Sequence, residues 1–114
     1  MKILVTAFDP FGGETMNPAL EALRRLPDSM NGIRILRLEL PTVFGKSLDL
    51  LKETVEKEWP DAVLCMGQAG GRVGVTLERI AVNLADARIP DNDGFQPREA
   101  LLCSGGPDGL FTTL

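Results

Sequence analysis

The chain has 114 residues, 44% of them apolar, with 12 basic and 16 acidic side chains giving a formal charge of −4. That length suffices for one core burying roughly two-thirds of the unfolded surface, and the apolar content excludes a disordered chain. The acidic balance leaves no basic stripe for nucleic acid or an anionic membrane. With no histidine in the sequence, these residues alone build no Ser-His-Asp triad, Cys-His dyad or histidine metal site.

No apolar run approaches the roughly 20 residues of a membrane span. The start, Met1 to Asp9, carries too short an apolar run for a secretory signal. Cys65 and Cys103 form no zinc-binding pattern, and two unmotivated cysteines point to a reducing cytoplasm.

In chain order, Lys2 to Ala7 reads as a buried parallel strand, since Ile3, Leu4 and Val5 are continuously apolar. A turn-rich loop follows, Phe8-Asp9-Pro10-Phe11-Gly12-Gly13. Asn17 before Pro18 marks a helix start, an N-cap side chain followed by proline at the first helical position. Leu20, Leu23 and Leu26 give that helix one apolar face, and Pro27 stops it. Ile33 to Leu40 reads as a second inner strand, with apolar residues on both faces, ended by Pro41.

Gly45 to Trp59 returns to helical spacing, with Leu48, Leu51 and Val55 on the stripe and Lys52–Glu56 and Glu53–Lys57 as i,i+4 pairs. Pro60 terminates it. Asp61 to Met66 is a third strand, leading into Gly67-Gln68-Ala69-Gly70-Gly71-Arg72. Val75 to Asn83 alternates as a fourth strand would, with Glu78 sharing a face with Thr76, Ile80 and Val82. From Arg88 to Leu114, three prolines and the glycines at 94, 105, 106 and 109 predict loop. The βαβαβ order predicts an α/β domain with right-handed crossovers. Ligands of such sheets gather at the carboxyl ends of the strands, where loops 8–13 and 67–72 lie.

Neither glycine-rich loop is a nucleotide motif. Ala69 takes the second glycine position of G-x-G-x-x-G, and Leu40 stands where a Walker A loop ending in Gly45-Lys46-Ser47 needs its first glycine. Turn geometry accounts for these glycines equally well. Phe8 and Phe11 either anchor their loop onto the core or form a flat apolar slot for a small planar ligand. Glu78, a carboxylate on an apolar face, needs either a function or an ion pair to Arg72 or Arg79. Cys65 reads as a small buried apolar residue and Cys103 as a loop thiol, since neither has a base to activate it.

Four segments together resemble the pyroglutamyl-peptidase I family. They are Phe8-Asp9-Pro10-Phe11-Gly12-Gly13 running to Asn17-Pro18; Pro41-Thr42-Val43-Phe44; Gly67 to Arg72 with Glu78-Arg79-Ile80-Ala81-Val82-Asn83; and Ala87-Arg88-Ile89-Pro90-Asp91-Asn92. Gly105-Gly106-Pro107 with Phe111-Thr112-Thr113-Leu114 is also similar. The resemblance implies a three-layer α/β open sheet flanked by helices, phosphorylase/hydrolase-like and here incomplete. Residues 1–114 would be the N-terminal portion of one peptidase domain.

It also implies a cysteine exopeptidase removing N-terminal pyroglutamate from peptides through a Cys-His-Glu triad, with no metal or organic cofactor. Glu78 matches the acidic triad member. Phe8 and Phe11 match the rings that hold the pyrrolidone, Gln68 lies in the loop that hydrogen-bonds it, and Asn17, Thr42 and Ile89 match positions in or beside the pocket. The family's nucleophile, in an Ala-Gly-x-x-x-Cys-Asn context, and its histidine match nothing in this chain. The expectation is therefore half a pocket and one triad member, inactive alone. Its substrates would be pyroglutamyl peptides, with no nucleic-acid or membrane partner. An incomplete sheet with exposed apolar surface favours homo-oligomers. The alternative is a non-catalytic module that keeps the ring slot.

Overall fold

The computed structural model describes residues 1–114. Its centre is the apolar strand β1 (Lys2–Phe8), in which Leu4, Val5, Thr6 and Ala7 are all buried. Strand β3 (Ile33–Leu40) runs parallel to β1 in register from Lys2–Arg34 to Phe8–Leu40. Strand β4 (Ala62–Cys65) runs parallel along the other side, from Ile3–Ala62 to Thr6–Cys65. A two-residue strand, β2 (Ser29–Met30), pairs antiparallel with β3, completing the order β2-β3-β1-β4. Sequence reading missed β2, although its turn carries the hairpin signal Asn31-Gly32, both with positive φ (51° and 78°).

The two crossovers leave in opposite directions, from β1 to β3 and from β3 back across β1 to β4. Right-handed connections then put their helices on opposite faces. Helix α1 (Pro18–Arg24) starts as expected: the Asn17 side chain accepts from Ala19 N at 3.0 Å, and Pro18 opens the first turn. It buries Leu20 and Leu23 against Val5, Ala7 and Ile35, with Ile3, Leu26 and Met66 at the margin. The other sheet face buries Leu4, Thr6 and Leu40.

Helix α2 (Lys46–Glu58) follows β3 and has no fully buried residue. Its half-buried positions are 47, 50, 51, 54, 55 and 58. Leu48 therefore lies off the stripe and half of it is exposed, a correction to the predicted face. Neither predicted i,i+4 pair forms; the five ion pairs of the molecule lie elsewhere. Trp59, in the left-handed region at φ 47°, ends the helix. No helix is long and apolar enough to cross a membrane.

Strand β4 departs from the expectation of burial on both faces. Its one strand neighbour is β1, so it forms the sheet edge, and Leu64 and Cys65 are exposed. Cys65 is thus an open thiol on a free edge, not a buried apolar residue. The predicted strand Val75–Asn83 contracts to β5 (Ile80–Val82), because nothing pairs with the residues before it. Val75 and Leu77 are 97% and 88% exposed. The partner of β5 is β6 (Gly109–Phe111), an antiparallel strand inside the stretch expected to be loop. Between them, Asn83 ties the chain across. Its Oδ1 accepts from Leu102 N and Cys103 N at 3.1 and 2.7 Å, and its Nδ2 donates to Cys103 O at 2.8 Å.

Candidate functional site

The carboxyl ends of β1 and β3 deliver residues 8–13 and 41–44 side by side, and the turn 91–95 folds over them. One oxygen holds the three together. Asp9 Oδ1 accepts from Thr42 N at 2.7 Å, Thr42 Oγ1 at 2.7 Å and Asn92 Nδ2 at 3.2 Å. Asn92 also donates to Pro10 O at 2.9 Å, and its own N–H reaches Thr42 O at 3.0 Å. Charge-assisted bonds of this kind are shorter and stronger than neutral ones. Sequence reading passed over Asp9, although Asp-Pro at a strand end, with a polar residue after the next strand, is the available signal.

The turn 91–95 is built by Asp91. Its Oδ1 accepts from Asp93 N and Phe95 N at 3.0 and 2.9 Å, and its Oδ2 accepts from Phe44 N at 2.9 Å. Partial desolvation alone raises this carboxyl's pKa. The backbone N–H groups of Phe44, Phe95, Asp93 and Gly94 together outweigh it and hold the carboxyl below its ordinary value. Phe44 and Phe95 pack edge to face, with centroids 6.0 Å apart. Lys46 bonds Asp93 at 2.6 Å, and that hydrogen bond and charge raise the lysine's pKa.

Among the predicted pocket residues, the structure brings five to this cluster. Phe8 ends β1, and both Phe8 and Phe11 are half-buried, each with one side still open. Gly12, at φ 65°, lets Ile89 close in: a Cβ there would sit 3.3 Å from Ile89 Cδ1. Thr42 spends its N–H on Asp9, and its hydroxyl proton can serve Asp9 Oδ1 or, at 3.0 Å, the Asp9 carbonyl. Asn17 is buried, capping α1 through Oδ1 and donating through Nδ2 to Asp9 O at 3.5 Å. The polar atoms of Thr42 and Asn17 thus hold loops in place.

The other two predicted residues lie apart from these bonds. Gln68 is exposed and makes no hydrogen bond, in the loop that leaves β4 after Met66 N bonds Thr6 O at 2.9 Å. That loop therefore exits beside residues 8–13, at the same end of the sheet. Glu78, 73% exposed, pairs with Arg72 at 2.7 Å. Of the two ion pairs weighed from sequence, the one to Arg72 forms. Arg72 also reaches Thr76 Oγ1 at 3.3 Å, so this small polar group belongs to the exposed arm 72–79. The arm is fixed where it meets β5, by Thr112 N bonding Arg79 O at 2.8 Å.

A family model described as pyroglutamyl peptidase matches residues 1–114. The pyrrolidone-carboxylate peptidase of Lactobacillus johnsonii is 56% identical over the whole chain, and that of Streptococcus pyogenes 57%. The chain spans about half the length of these curated relatives, 53% of each. Crystal structures agree. Pyroglutamyl peptidase I of Bacillus amyloliquefaciens superposes with a TM-score of 0.95 at 50% identity, over 99% of this chain and 55% of that one. A mutant pyrrolidone carboxyl peptidase of Pyrococcus furiosus superposes at 0.94 and 42% identity, over all of this chain and 55% of its own.

Proposed function

Because the chain belongs to the pyroglutamyl peptidase family, we propose that it forms the first half of a single-domain cysteine exopeptidase of the reducing cytoplasm, which releases N-terminal pyroglutamate from peptides. The observation that carries this reading is the clasp on Asp9 Oδ1, which sets loops 8–13, 41–44 and 91–95 around Phe8, Phe11 and Ile89. A pyroglutamyl residue has no free amine, and its lactam is small, flat and largely apolar. Two half-open rings offer it contact area, and one N–H and one C=O remain for polar partners. Gln68, with its amide unengaged at the same end of the sheet, supplies such a partner. Thr42 contributes its methyl group and backbone, since its donors serve Asp9.

The chemistry needs a thiolate and an imidazole from the rest of the family fold. The thiolate attacks the pyroglutamyl carbonyl carbon, and the imidazolium gives its proton to the departing amine. Water then cleaves the thioester, returning the thiol and releasing pyroglutamate. Glu78 would orient the imidazole and stabilise its charged form, exchanging its Arg72 partner for it or sharing the two.

The test is to continue this chain with the remaining half of the L. johnsonii relative and measure pyroglutamyl-aminomethylcoumarin hydrolysis. The continued chain should turn over, and the 114-residue chain alone should not, since losing triad members costs several orders of magnitude. A folded but inactive continued chain would refute the assignment.

A further inference from the structure

Strand β4, the arm 72–79 and the β5–β6 ladder share one property: their apolar side chains face nothing in this molecule. Leu64 and Cys65 lie on an unpaired parallel edge, Val75 and Leu77 are almost fully open, and Ile80 and Phe111 are exposed on the ladder. A shallow cleft of about 440 Å³ runs beside the start of β4, between Ala62–Val63 and Phe111–Leu114. Contiguous exposed apolar surface of this kind marks an interaction site, and a free sheet edge accepts an added strand.

The solved relatives indicate what covers it. The chain superposes on B. amyloliquefaciens pyroglutamyl peptidase I over 99% of its own length, arm included, with a TM-score of 0.95. Yet the arm makes no ladder bonds and buries no apolar side chain here. A segment that keeps its path without contacts of its own takes that path from something else. In the relative, the 45% of the chain left unmatched is available for this. A second copy of this chain offers only the same open edge and the same unsupported arm.

We infer that the β4 edge and the arm form a docking surface for the second half of a family peptidase, and that this half binds as a separate polypeptide. The four-stranded sheet with α1 is a preformed template, so the incoming half needs no peptide bond to this chain to find its place. The inference rests on the functional reading above only for what the assembled pair does, not for its assembly.

The experiment is to co-express the 114-residue chain, tagged, with the untagged second half of the L. johnsonii peptidase. The pair should co-purify as a one-to-one complex by light scattering. Native labelling with a disulfide reagent should slow at least tenfold at Cys65 relative to the chain alone. Leu64→Lys, at an already exposed position, should weaken association at least tenfold while leaving the isolated chain's melting temperature unchanged. Failure to co-purify overturns the inference. So does a complex in which Cys65 labels as before and Leu64→Lys is silent. A dimer of the 114-residue chain that protects Cys65 by itself also overturns it, in favour of a second copy. A complex that protects Cys65 but releases no pyroglutamate supports the docking surface and refutes the activity.

Discussion

Replacing Asp9 with alanine removes the acceptor on which three loops converge, and the structure allows the loss to be apportioned. Asn92 Nδ2 keeps Pro10 O at 2.9 Å, and the Thr42 hydroxyl can turn to the Asp9 carbonyl at 3.0 Å. Thr42 N has no other acceptor, so it alone is stranded, at a half-buried position. A hydrogen bond to a charged group contributes about 1.5–3 kcal/mol, and an orphaned donor costs a similar amount. Partial exposure sets the net loss near the lower end, about 2 kcal/mol. For a domain of this size that corresponds to a fall in melting temperature of roughly 10 °C. Asp9→Asn keeps an acceptor oxygen without the charge and should lose about half as much. The assay is a circular-dichroism melt with amide hydrogen exchange read residue by residue. Thr42 and Asn92 should lose protection in Asp9→Ala, while Val5 and Ile35 stay protected up to global unfolding. A melting temperature within about 2 °C of the parent, with the Thr42 amide still protected, would show that the clasp holds nothing.

Glu78→Gln in the continued chain should lower kcat by at least tenfold with KM little changed. It should barely move the melting temperature, because an ion pair this exposed contributes at most about 1 kcal/mol; a lower melting point with normal turnover would make Glu78 structural. The lowered Asp91 pKa means this carboxylate stabilises the fold fully above its unfolded value of about 3.9 and ceases to as pH falls through its folded value. The Phe44 and Phe95 amide shifts should therefore hold through pH 4 and move only below it, and movement centred at pH 5 or above would contradict this. Gly12→Ala forces a side chain into the left-handed region against Ile89 Cδ1 and should cost about 1–2 kcal/mol. An unchanged melting temperature would mean that Ile89 yields freely.

Where sequence periodicity met a partner on the same chain, it read the structure well. β1, β3, α1 and the Asn17 cap follow directly from apolar runs and proline positions, because their neighbours lie within the first 66 residues. Val75 to Asn83 shows the limit. Its alternation is real, yet a strand needs a ladder, and the only one available to it here reaches Ile80–Val82 from Gly109–Phe111. Glycine and proline around β6 concealed that partner. Cys65 misled for the same reason: an apolar strand end reads as buried whether or not anything covers it. At the site, the motif residues were legible as a pattern, but not the division of labour among them. That Thr42 and Asn17 serve Asp9 and the helix cap depends on distances across about 30 residues, which no spacing rule contains.

Every pairing in the four-stranded sheet closes between Lys2 and Cys65, with β1, the first strand made, at its centre. During synthesis the ribosome therefore delivers the middle of the sheet before its flanks, and the last flank soon after. The sheet can assemble vectorially, with no contact left waiting on distant sequence, which favours early and rapid folding. The arm and the β5–β6 ladder emerge later onto a scaffold that already exists. Ribosome-arrested chains of increasing length should gain protease resistance in one step as Met66 clears the exit tunnel. Resistance that arrives only with the final residues would place the folding nucleus elsewhere.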